Sequence, residues 1–406
     1  MNTLIKMAWR NIWRNKKRTV LTMSSITIAI FLSLFSRSLQ KGTFGNMISN
    51  AVKFSSGYLQ IQKKGYWEDK TIDETFEQTS KIQNLLEKNN NVSSILPRLE
   101  SFALASSGLQ TKGTMVIGTI PELEDQLNNY SKKIIKGNFI SEKDNSIVIG
   151  DELASFMKVD VGDSLVLLGQ GYHGITAAAK YNIKGILHLP IPQLNKQLVL
   201  LPLQECQYFY ASENRLTSIS LMLNDLELID KTKDEINNSL NKNYAVMTWA
   251  EMNKELLQFV DTKNIGSIIM LAVLYIVIGF GVFGTIMMMT MERRKEFAIM
   301  VSIGMRKSKL LIVVFFETLF IGCGAIVLGI LISYPVLLYL SKNPIKLSGE
   351  FALAMEKVGA EPILPFVLNS EIFIYQTLSV ILIVMVAITY PLIFILKFDV
   401  LKAMKN

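Results

Sequence analysis

Residues 265–291 read IGSIIMLAVLYIVIGFGVFGTIMMMTM, an apolar run without a charged side chain. About 20 apolar residues, each rising about 1.5 Å along a helix, cross a hydrocarbon core of about 30 Å. This run therefore predicts a membrane-spanning helix over residues 264–291. Comparable apolar runs predict further spans at residues 19–40, 310–340 and 372–396. We expect four membrane helices.

The long segment between the first and second spans, residues 41–263, is polar and large enough to fold as a domain. Strand-like and helix-like patterns alternate in it, with more strands in the middle. We therefore expect a membrane α-helical protein with a large mixed α/β extracytoplasmic domain inserted between the first two spans. This domain is expected to contain two subdomains, the middle one inserted into the other.

The formal net charge of +8 is concentrated in short segments. Residues 1–18 carry six basic and no acidic side chains, the loop 292–309 carries six basic and two acidic ones, and the tail 397–406 carries three Lys against one Asp. In contrast, residues 41–263 carry 23 basic and 26 acidic side chains, and residues 341–371 carry three and four. By the positive-inside rule, both termini and the 292–309 loop are cytoplasmic, and residues 41–263 and 341–371 lie outside. The basic charge thus predicts a multi-pass protein of the cytoplasmic (inner) membrane, not a nucleic-acid-binding protein.

Residues 1–18 predict a cytoplasmic amphipathic helix that lies on the membrane surface. Trp9 and Trp13 belong to an apolar stripe, while Arg10 and Arg14 belong to an opposite cationic stripe. Trp rings prefer the headgroup region, and cations favour anionic lipid, so membrane lipid is an expected partner. Two alternatives are a basic flank without a helical role and a cleaved signal peptide over the first span. The length of that span argues against cleavage.

Motifs that would indicate catalysis or cofactor binding are missing from the sequence. It contains no G-x-x-x-x-G-K-[ST] motif, so ATP would have to be bound by another polypeptide. The G-x-G-x-x-G string at 169–174 precedes a strand-like run instead of a helix, which indicates a hairpin loop. His173 and His188 lack metal-ligand spacing, and Cys206 and Cys323 fall in different regions. We expect no catalytic residue, no metal site and no disulfide.

The loop after the second span, MERRKEFAIMVSIGMRK at 291–307, predicts a short amphipathic helix. Phe297, Met300, Val301 and Gly304 fall on one helical face beneath a charged start, and Gly304 can end the helix. Such a helix on the cytoplasmic side is typical of a docking element. The alternative, a solvated charge run that only sets the topology, does not explain the apolar face.

Several stretches resemble the FtsX/MacB/LolC–LolE superfamily of ABC permeases. ERRKEF at 292–297 and Ile-Gly at 303–304 resemble its E-R-x-R-E-I…L-G signature. AWRN at 8–11 and KRTVLT at 17–22 look like the A-x-R-N-L…R-R-T-x-L-T opening, and Tyr-Pro at 390–391 also matches. The resemblance covers essentially the whole chain.

The resemblance implies that residues 292–309 form a coupling helix, seated in a groove of a separate cytoplasmic ATPase. It implies a non-catalytic permease subunit that acts with an ABC ATPase dimer and a second permease copy or paralogue, with ATP and Mg bound by the ATPase. Phe297, Met305 and Val400 depart from the family's Ile, Ala and Pro, which affects the tail contacts more than the class. The implied ATPase-coupling residues are Glu292, Arg293, Arg294, Glu296, Phe297 and Gly304.

The outer segment looks most like the lipoprotein-releasing branch, through residues 57–66, 149–163 and 248–249. This branch implies release of a lipoprotein substrate from the inner membrane to a periplasmic acceptor. A permease of the same class that controls a cell-wall hydrolase or exports a peptide or macrolide is one alternative. A membrane receptor or scaffold that works without an ATPase is the other, and it would not need the docking helix.

Two further features of the spans carry predictions. Gly281, Gly284, Gly322 and Gly329 would allow close helix packing. Glu317, the one acidic residue inside a span, is expected to face protein or water, and the resemblance implies that it is paired structurally at the dimer or coupling end. Proton or substrate handling is the alternative role for Glu317. The helical pattern continues from about residue 250 to 291, about 40 residues or ~60 Å, and could act as a rod that carries motion to the outer domain.

Overall fold

The computed structural model describes residues 2–14, 16–357 and 361–397. The chain divides into two compact units. The membrane unit comprises Met1–Phe44, Val260–Lys346 and Ile363–Asn406, and the outer unit comprises Gly45–Phe259 and Leu347–Pro362. Residues 398–406 of the predicted tail lie outside the described residues.

The helices of both units are numbered here in chain order. They are α1 (Asn2–Arg14), α2 (Lys16–Ala51), α3 (Tyr66–Asp69), α4 (Ser80–Glu87), α5 (Pro121–Asn128), α6 (Tyr130–Lys133), α7 (Asp151–Met157), α8 (Pro192–Gln197), α9 (Leu203–Phe209), α10 (Ile229–Ser239), α11 (Trp249–Met252), α12 (Lys254–Glu292), α13 (Arg294–Ser302), α14 (Lys307–Lys342), α15 (Glu350–Lys357) and α16 (Ser370–Leu396). A π-helical turn, Val52–Ser56, follows α2.

The strands are numbered in the same way. They are β1 (Leu59–Lys63), β2 (Phe76–Glu77), β3 (Val92–Ser107), β4 (Gln110–Thr119), β5 (Ile134–Gly137), β6 (Ser146–Gly150), β7 (Ser164–Gln170), β8 (Thr176–Leu187), β9 (Leu198–Pro202), β10 (Arg215–Leu216), β11 (Ser218–Leu223), β12 (Tyr244–Thr248), β13 (Ile345–Lys346) and β14 (Ile363–Leu364).

Four of these helical segments are long and apolar enough to cross a bilayer. They are Thr19–Ser56, Lys254–Glu292, Lys307–Lys342 and Ser370–Leu396. A helix long and apolar enough to cross a bilayer therefore covers each of the four predicted spans, and these helices extend beyond the predicted bounds. The largest extension is in α2, which continues beyond residue 40 to Ala51, and the predicted end of the membrane span at residue 40 remains a prediction.

The α2 extension passes through Gly42 and Gly45. A Cβ atom on Gly42 would lie 2.0 Å from the carbonyl oxygen of Pro365. Ser38 also donates to the Val367 carbonyl at 2.8 Å. The helix thus persists because its glycine fits against the segment before α16, and this tertiary contact outweighs the low helix propensity of glycine.

The core of the membrane unit lies between α2, α14 and α16. Ile30 of α2, Ala325 of α14 and Val380 of α16 are fully buried there. Half of the most apolar window of α14 is buried, whereas only 6% of the corresponding window of α12 is. Most of this apolar stretch of α12 is therefore exposed in the described chain, while Val282 and Ile286 near its end pack in the core.

The glycines predicted to pack in the membrane divide into two pairs. A Cβ atom on Gly329 would lie 3.0 Å from Ile30, and one on Gly322 would lie 3.1 Å from Val384, so both sit at close helix contacts. Gly281 and Gly284 of α12 have open space where a Cβ atom would be. Within the described chain, these two do not serve helix packing, because α12 has few neighbours on that side.

The outer unit is built on one large sheet, of strand order β12-β1-β11-β3-β4-β9-β6-β8-β5, with β7 paired to β3 and β8. The long strand β3 joins its two parts, because its first half pairs with β11 and its second half with β7. One sheet continues through the described outer unit, with separate apolar cores beside β1 and beside β6, and the division into two subdomains remains a prediction. The 169–174 stretch is the tip of the antiparallel β7–β8 hairpin, as predicted.

The chain enters and leaves this sheet at adjacent places. The Asn253 side chain donates to the Ser56 hydroxyl at 3.1 Å, and the Trp249 amide donates to the Tyr58 carbonyl at 2.9 Å. Asn253 is not helical (φ −111°, ψ 50°), so the predicted continuous rod from residue 250 is interrupted there. The helix α12 that follows has 39 residues, about 58 Å at about 1.5 Å per residue.

Candidate coupling site

The predicted coupling element at 292–309 contains the short helix α13 between two membrane helices. Arg293 leaves the helical region (φ −91°, ψ 8°) and separates α13 from α12. Gly304, with φ of +100°, follows the end of α13, and the Met305 amide donates to the Met300 carbonyl at 3.1 Å across it. Glycine adopts this left-handed conformation without strain, so Gly304 ends the helix as the sequence predicts.

The apolar side of α13 faces its own membrane unit. Phe297 and Ala298 are almost completely buried, and they pack with Leu310 and Val314 of α14 and Ile395 of α16. The ATPase-coupling role implied for Phe297 remains a prediction, but in the described chain its ring faces inward. The physical reason is that the start of α14 and the end of α16 offer an apolar seat for it.

The outward side of α13 carries other residues. Ile299 and Ile303 are 54% and 82% exposed, and the Ile303 amide donates to the Ile299 carbonyl one turn away. Lys295, four residues before Ile299, shares this side, and Glu292 is also exposed. We call Glu292, Lys295, Ile299 and Ile303 the outward face. Two exposed isoleucines flanked by charges can serve as apolar anchors in a partner's groove.

A buried ion pair lies beneath the coupling helix. Arg293 donates from Nη1 to Oε1 of Glu317 at 2.6 Å, and the two side chains are only 2% and 1% exposed. Arg293 also donates from Nε to Glu296 Oε2 at 3.3 Å, and its guanidinium lies 5.1 Å from the centre of the Phe297 ring. Glu317 is therefore paired inside the protein next to the coupling helix. Arg294, in contrast, is only half-buried on α13.

The N-terminal helix α1 packs against α14. Ala8 is fully buried, and Ile12 belongs to a small apolar cluster with Met289 and Ile321. Trp9 and Trp13 remain about half-exposed, and Trp9 meets the Phe320 ring edge-on at 5.7 Å between centroids. The predicted apolar stripe thus has two parts. Ala8 and Ile12 contact the rest of the protein, and Trp9 and Trp13 remain partly exposed.

The cationic stripe of α1 is exposed and reaches the coupling helix. Arg10 is exposed, and Arg14 donates from Nη2 to Glu296 Oε2 at 2.7 Å. The interfacial role predicted for Trp9, Arg10, Trp13 and Arg14 remains a prediction. The contact of Arg14 with the coupling helix was not foreseen, because residues 282 positions apart give no sequence signal.

A second charged site, which sequence reasoning missed, lies inside the outer unit. Arg98 on β3 is fully buried and donates from Nε to Glu124 Oε1 at 2.7 Å, with Glu100 at 3.8 Å. Thr119 and Asn128 donate to the two oxygens of Glu124 at 3.0 and 2.6 Å. Arg98 also donates to the Ser55 carbonyl in the π-helical turn. This site, which we call the Arg98 cluster, ties the entry of the chain to the middle of the sheet.

The protonation of this cluster follows from burial and pairing. Burial opposes the charge of Arg98, but the carboxylates of Glu124 and Glu100 outweigh burial and raise its pKa. Burial raises the pKa of Glu100, with Arg98 and Lys70 acting in the opposite direction. Burial lowers the pKa of Lys70 to about 8, partly offset by Glu100 and Glu68. The cluster is a structural tie of opposite charges.

The described residues contain no group of three or more His, Cys, Asp or Glu side chains placed to hold a metal ion. His188 lies 2.7 Å from Asp151 through Nδ1, and the His173 amide donates to Asp73 at 2.8 Å. Cys206 is buried and Cys323 is exposed, and both are free thiols.

Comparison with known families covers both units. Residues 268–400 match the profile described as FtsX-like permease C-terminal, and residues 19–239 match that described as MacB-like periplasmic core domain. Together with four apolar helices and a large soluble insertion, these matches define the chain as an ABC transporter permease. It belongs to the FtsX and MacB family of these permeases, and is a multi-pass membrane protein.

Individual relatives are distant. The lipoprotein-releasing system transmembrane protein LolC of Xylella fastidiosa is 24% identical over 221 residues, which are 53% of each chain. LolE of Haemophilus influenzae is 25% identical over 280 residues, 62% of this chain and 63% of that one. An uncharacterized ABC transporter permease of Methanocaldococcus jannaschii is 21% identical over 348 residues, 82% and 84% of the two chains. The chain thus spans about half the length of the Xylella fastidiosa LolC proteins that it matches.

Two solved structures are also similar to the chain. The periplasmic region of MacB from Actinobacillus actinomycetemcomitans gives a TM-score of 0.35 at 11% identity, with 49% of this chain and 91% of that one covered. The extracellular domain of the ABC-type transporter YknZ from Gram-positive bacteria gives 0.34 at 13% identity, with 47% and 99% covered.

Proposed function

We propose that this permease couples ATP hydrolysis by a separate cytoplasmic ATPase to motion of its outer unit, and that this motion releases lipoproteins from the inner membrane. The substrate class is supported by the LolC and LolE relatives, whose names state that they belong to lipoprotein-releasing systems. The chain itself would be non-catalytic, with ATP and Mg on the ATPase. A second permease copy or paralogue would complete the complex, and a periplasmic acceptor would receive the lipoprotein.

The proposed orientation follows from the charges. Six basic side chains in residues 1–18 and six in residues 292–309 favour the cytoplasmic side for these segments. The C-terminus would then also be cytoplasmic, and the outer unit would be periplasmic. This orientation presents α13 to a cytoplasmic ATPase.

The single observation that carries the proposal is the outward face of α13. Surface isoleucines that are 54% and 82% exposed, on a helix otherwise seated firmly by Phe297, indicate a docking surface for a protein. An ATPase-independent receptor or scaffold would have no use for such a surface. The face therefore favours an ATP-driven permease over a receptor.

Motion would reach the outer unit along two connections of the chain, α2 and α12. Their far ends meet the large sheet at the Ser56–Asn253 hydrogen bond, and the Arg98 cluster fixes the π-helical turn to β3. A ligand already in the outer leaflet would not have to cross the bilayer. It would be displaced by the outer unit, and α12 would act as a rod from residue 254 onward.

We expect ATP to drive release of a triacylated lipoprotein from proteoliposomes that contain the permease, its partner subunit and the ATPase. The measurement is the amount of lipoprotein that appears in the soluble fraction with an acceptor, with ATP compared with a non-hydrolysable analogue. Release that is equal with both nucleotides would contradict the proposal. ATP turnover without lipoprotein release, but with activation of a cell-wall hydrolase or export of a peptide or macrolide, would favour the alternative within the same class.

A further inference from the structure

Four alternating charges run through the coupling site. Arg14 Nη2 lies 2.7 Å from Glu296 Oε2, Arg293 Nε lies 3.3 Å from the same oxygen, and Arg293 Nη1 lies 2.6 Å from Glu317 Oε1. The exposure of these side chains falls from 58% for Arg14 and 39% for Glu296 to 2% for Arg293 and 1% for Glu317. The ion pairs thus extend from the exposed Arg14 on α1, through Glu296 and Arg293 at the coupling helix, to the buried Glu317 on α14.

We propose that Glu317 and Arg14 are positioning residues that clamp the coupling helix between α14 and α1. The proposal rests on the proposed function, because it concerns how movement of the coupling helix enters the membrane unit. With the clamp intact, α13 moves together with α14 and α1. Force from the ATPase on α13 then acts directly on α14, and α12 moves after α14.

The packing around the coupling helix supports this route. Phe297 and Ala298 bury their side chains against α14 and α16, so these apolar contacts and the ion pair both hold α13 against α14. At the other end of α13, the non-helical Arg293 interrupts the connection to α12, and the most apolar window of α12 is only 6% buried. A helix that is seated on α14 and broken from α12 transmits force more directly to α14.

The chemistry of the pair indicates positioning more than stability. Within the described residues, Arg293 Nη2 and Glu317 Oε2 have no hydrogen-bond partner, so the buried pair is incompletely satisfied. A buried ion pair of this kind is often no more stable than apolar side chains of similar volume, but removal of one partner leaves an uncompensated charge. The benefit of the ion pair is that it fixes the Arg293 side chain, and with it the start of α13, in a single position.

Glu317→Gln is the first test, because it keeps the shape and removes the charge. We expect the ATP turnover that the permease stimulates in nanodiscs to fall about tenfold, while the affinity of the ATPase changes less than twofold, because the outward face is intact. Arg293→Met combined with Glu317→Leu should restore the stimulation to within about threefold of wild type, since an apolar contact can also seat the helix.

Normal stimulation in Glu317→Gln would overturn the proposal. So would a double variant as inactive as the single one, because this result would assign the Glu317 charge itself to proton or substrate handling. If the wild-type chain neither binds nor stimulates the ATPase, the proposed function fails instead. The two failures are therefore distinguishable.

A double-mutant cycle at the surface end keeps the proposal testable if Glu317→Gln does not fold. Arg14→Gln and Glu296→Gln should each lower the stimulation of ATP turnover. The double variant should lower it no more than the larger single effect does. The stimulation of the double variant should therefore exceed the value expected from additive effects by up to about fivefold. Lys6→Gln, on the same helix, should combine additively with Glu296→Gln. Additive behaviour of Arg14 with Glu296 would overturn the part of the clamp assigned to α1.

Discussion

Replacement of Ile303 by Glu is expected to weaken binding of the ATPase about 100-fold. The loss of apolar burial at this 82% exposed side chain, together with the desolvation of a carboxylate in the partner's groove, amounts to about 3 kcal/mol. Each ~1.4 kcal/mol corresponds to about tenfold in Kd. Ile299→Glu should act in the same direction. The measurement is the Kd of the purified ATPase for the permease in nanodiscs.

Leu109→Glu is the matched control for this prediction. Leu109 is a fully exposed aliphatic side chain at the tip of the β3–β4 hairpin in the outer unit, so the same chemical change there should leave the Kd unaltered. The thermal unfolding temperature should change little in all three variants, because surface substitutions usually alter stability by less than ~0.5 kcal/mol. Binding by Ile303→Glu at wild-type affinity would rule out the outward face as the docking surface.

Arg98→Met is expected to destabilise the outer unit by about 3–5 kcal/mol, because Glu124 and Glu100 would lose their buried cation. In a unit of this size, this loss lowers the unfolding temperature by on the order of 10 °C. Trp67 and Trp249 lie in the outer unit, so their fluorescence in a Trp9→Phe, Trp13→Phe background reports its unfolding.

A second substitution separates charge imbalance from lost packing. In Arg98→Met with Glu124→Gln, the added amide can donate to Asn128 if the Asn128 side chain flips, since its Oδ1 has no partner in the described chain. We therefore expect more than half of the lost stability to return. The exposed Lys180→Met on β8 should be neutral. A change below ~0.5 kcal/mol in Arg98→Met would show that the cluster is not a structural tie.

The membrane helices and the end of the coupling helix were predictable because each has a strong local cause. A bilayer requires a long apolar run, which residues 265–291 supply, and Gly304 ends α13 because glycine tolerates a positive φ. The β7–β8 hairpin was predictable for the same reason, because its glycine-rich tip separates two alternating runs.

The remaining features depend on contacts between distant parts of the chain. An amphipathic pattern cannot show whether Phe297 or Ile299 faces the protein, because this depends on the apolar seat formed by α14 and α16. A charged residue in a strand suggests a solvent-facing position, so Arg98 gave no sign of its burial against Glu124. The helix extension through Gly42 likewise depends on the approach of Pro365.

Photo-crosslinking in intact membranes tests the central claim, that the outward face of α13 meets a cytoplasmic ATPase. A benzophenone side chain placed at Ile303 should crosslink to the ATPase, while the same group at Ile345, which is also exposed but belongs to the segment predicted to lie outside, should not. No crosslink to an ATPase from position 303, or an equal one from position 345, would contradict the account.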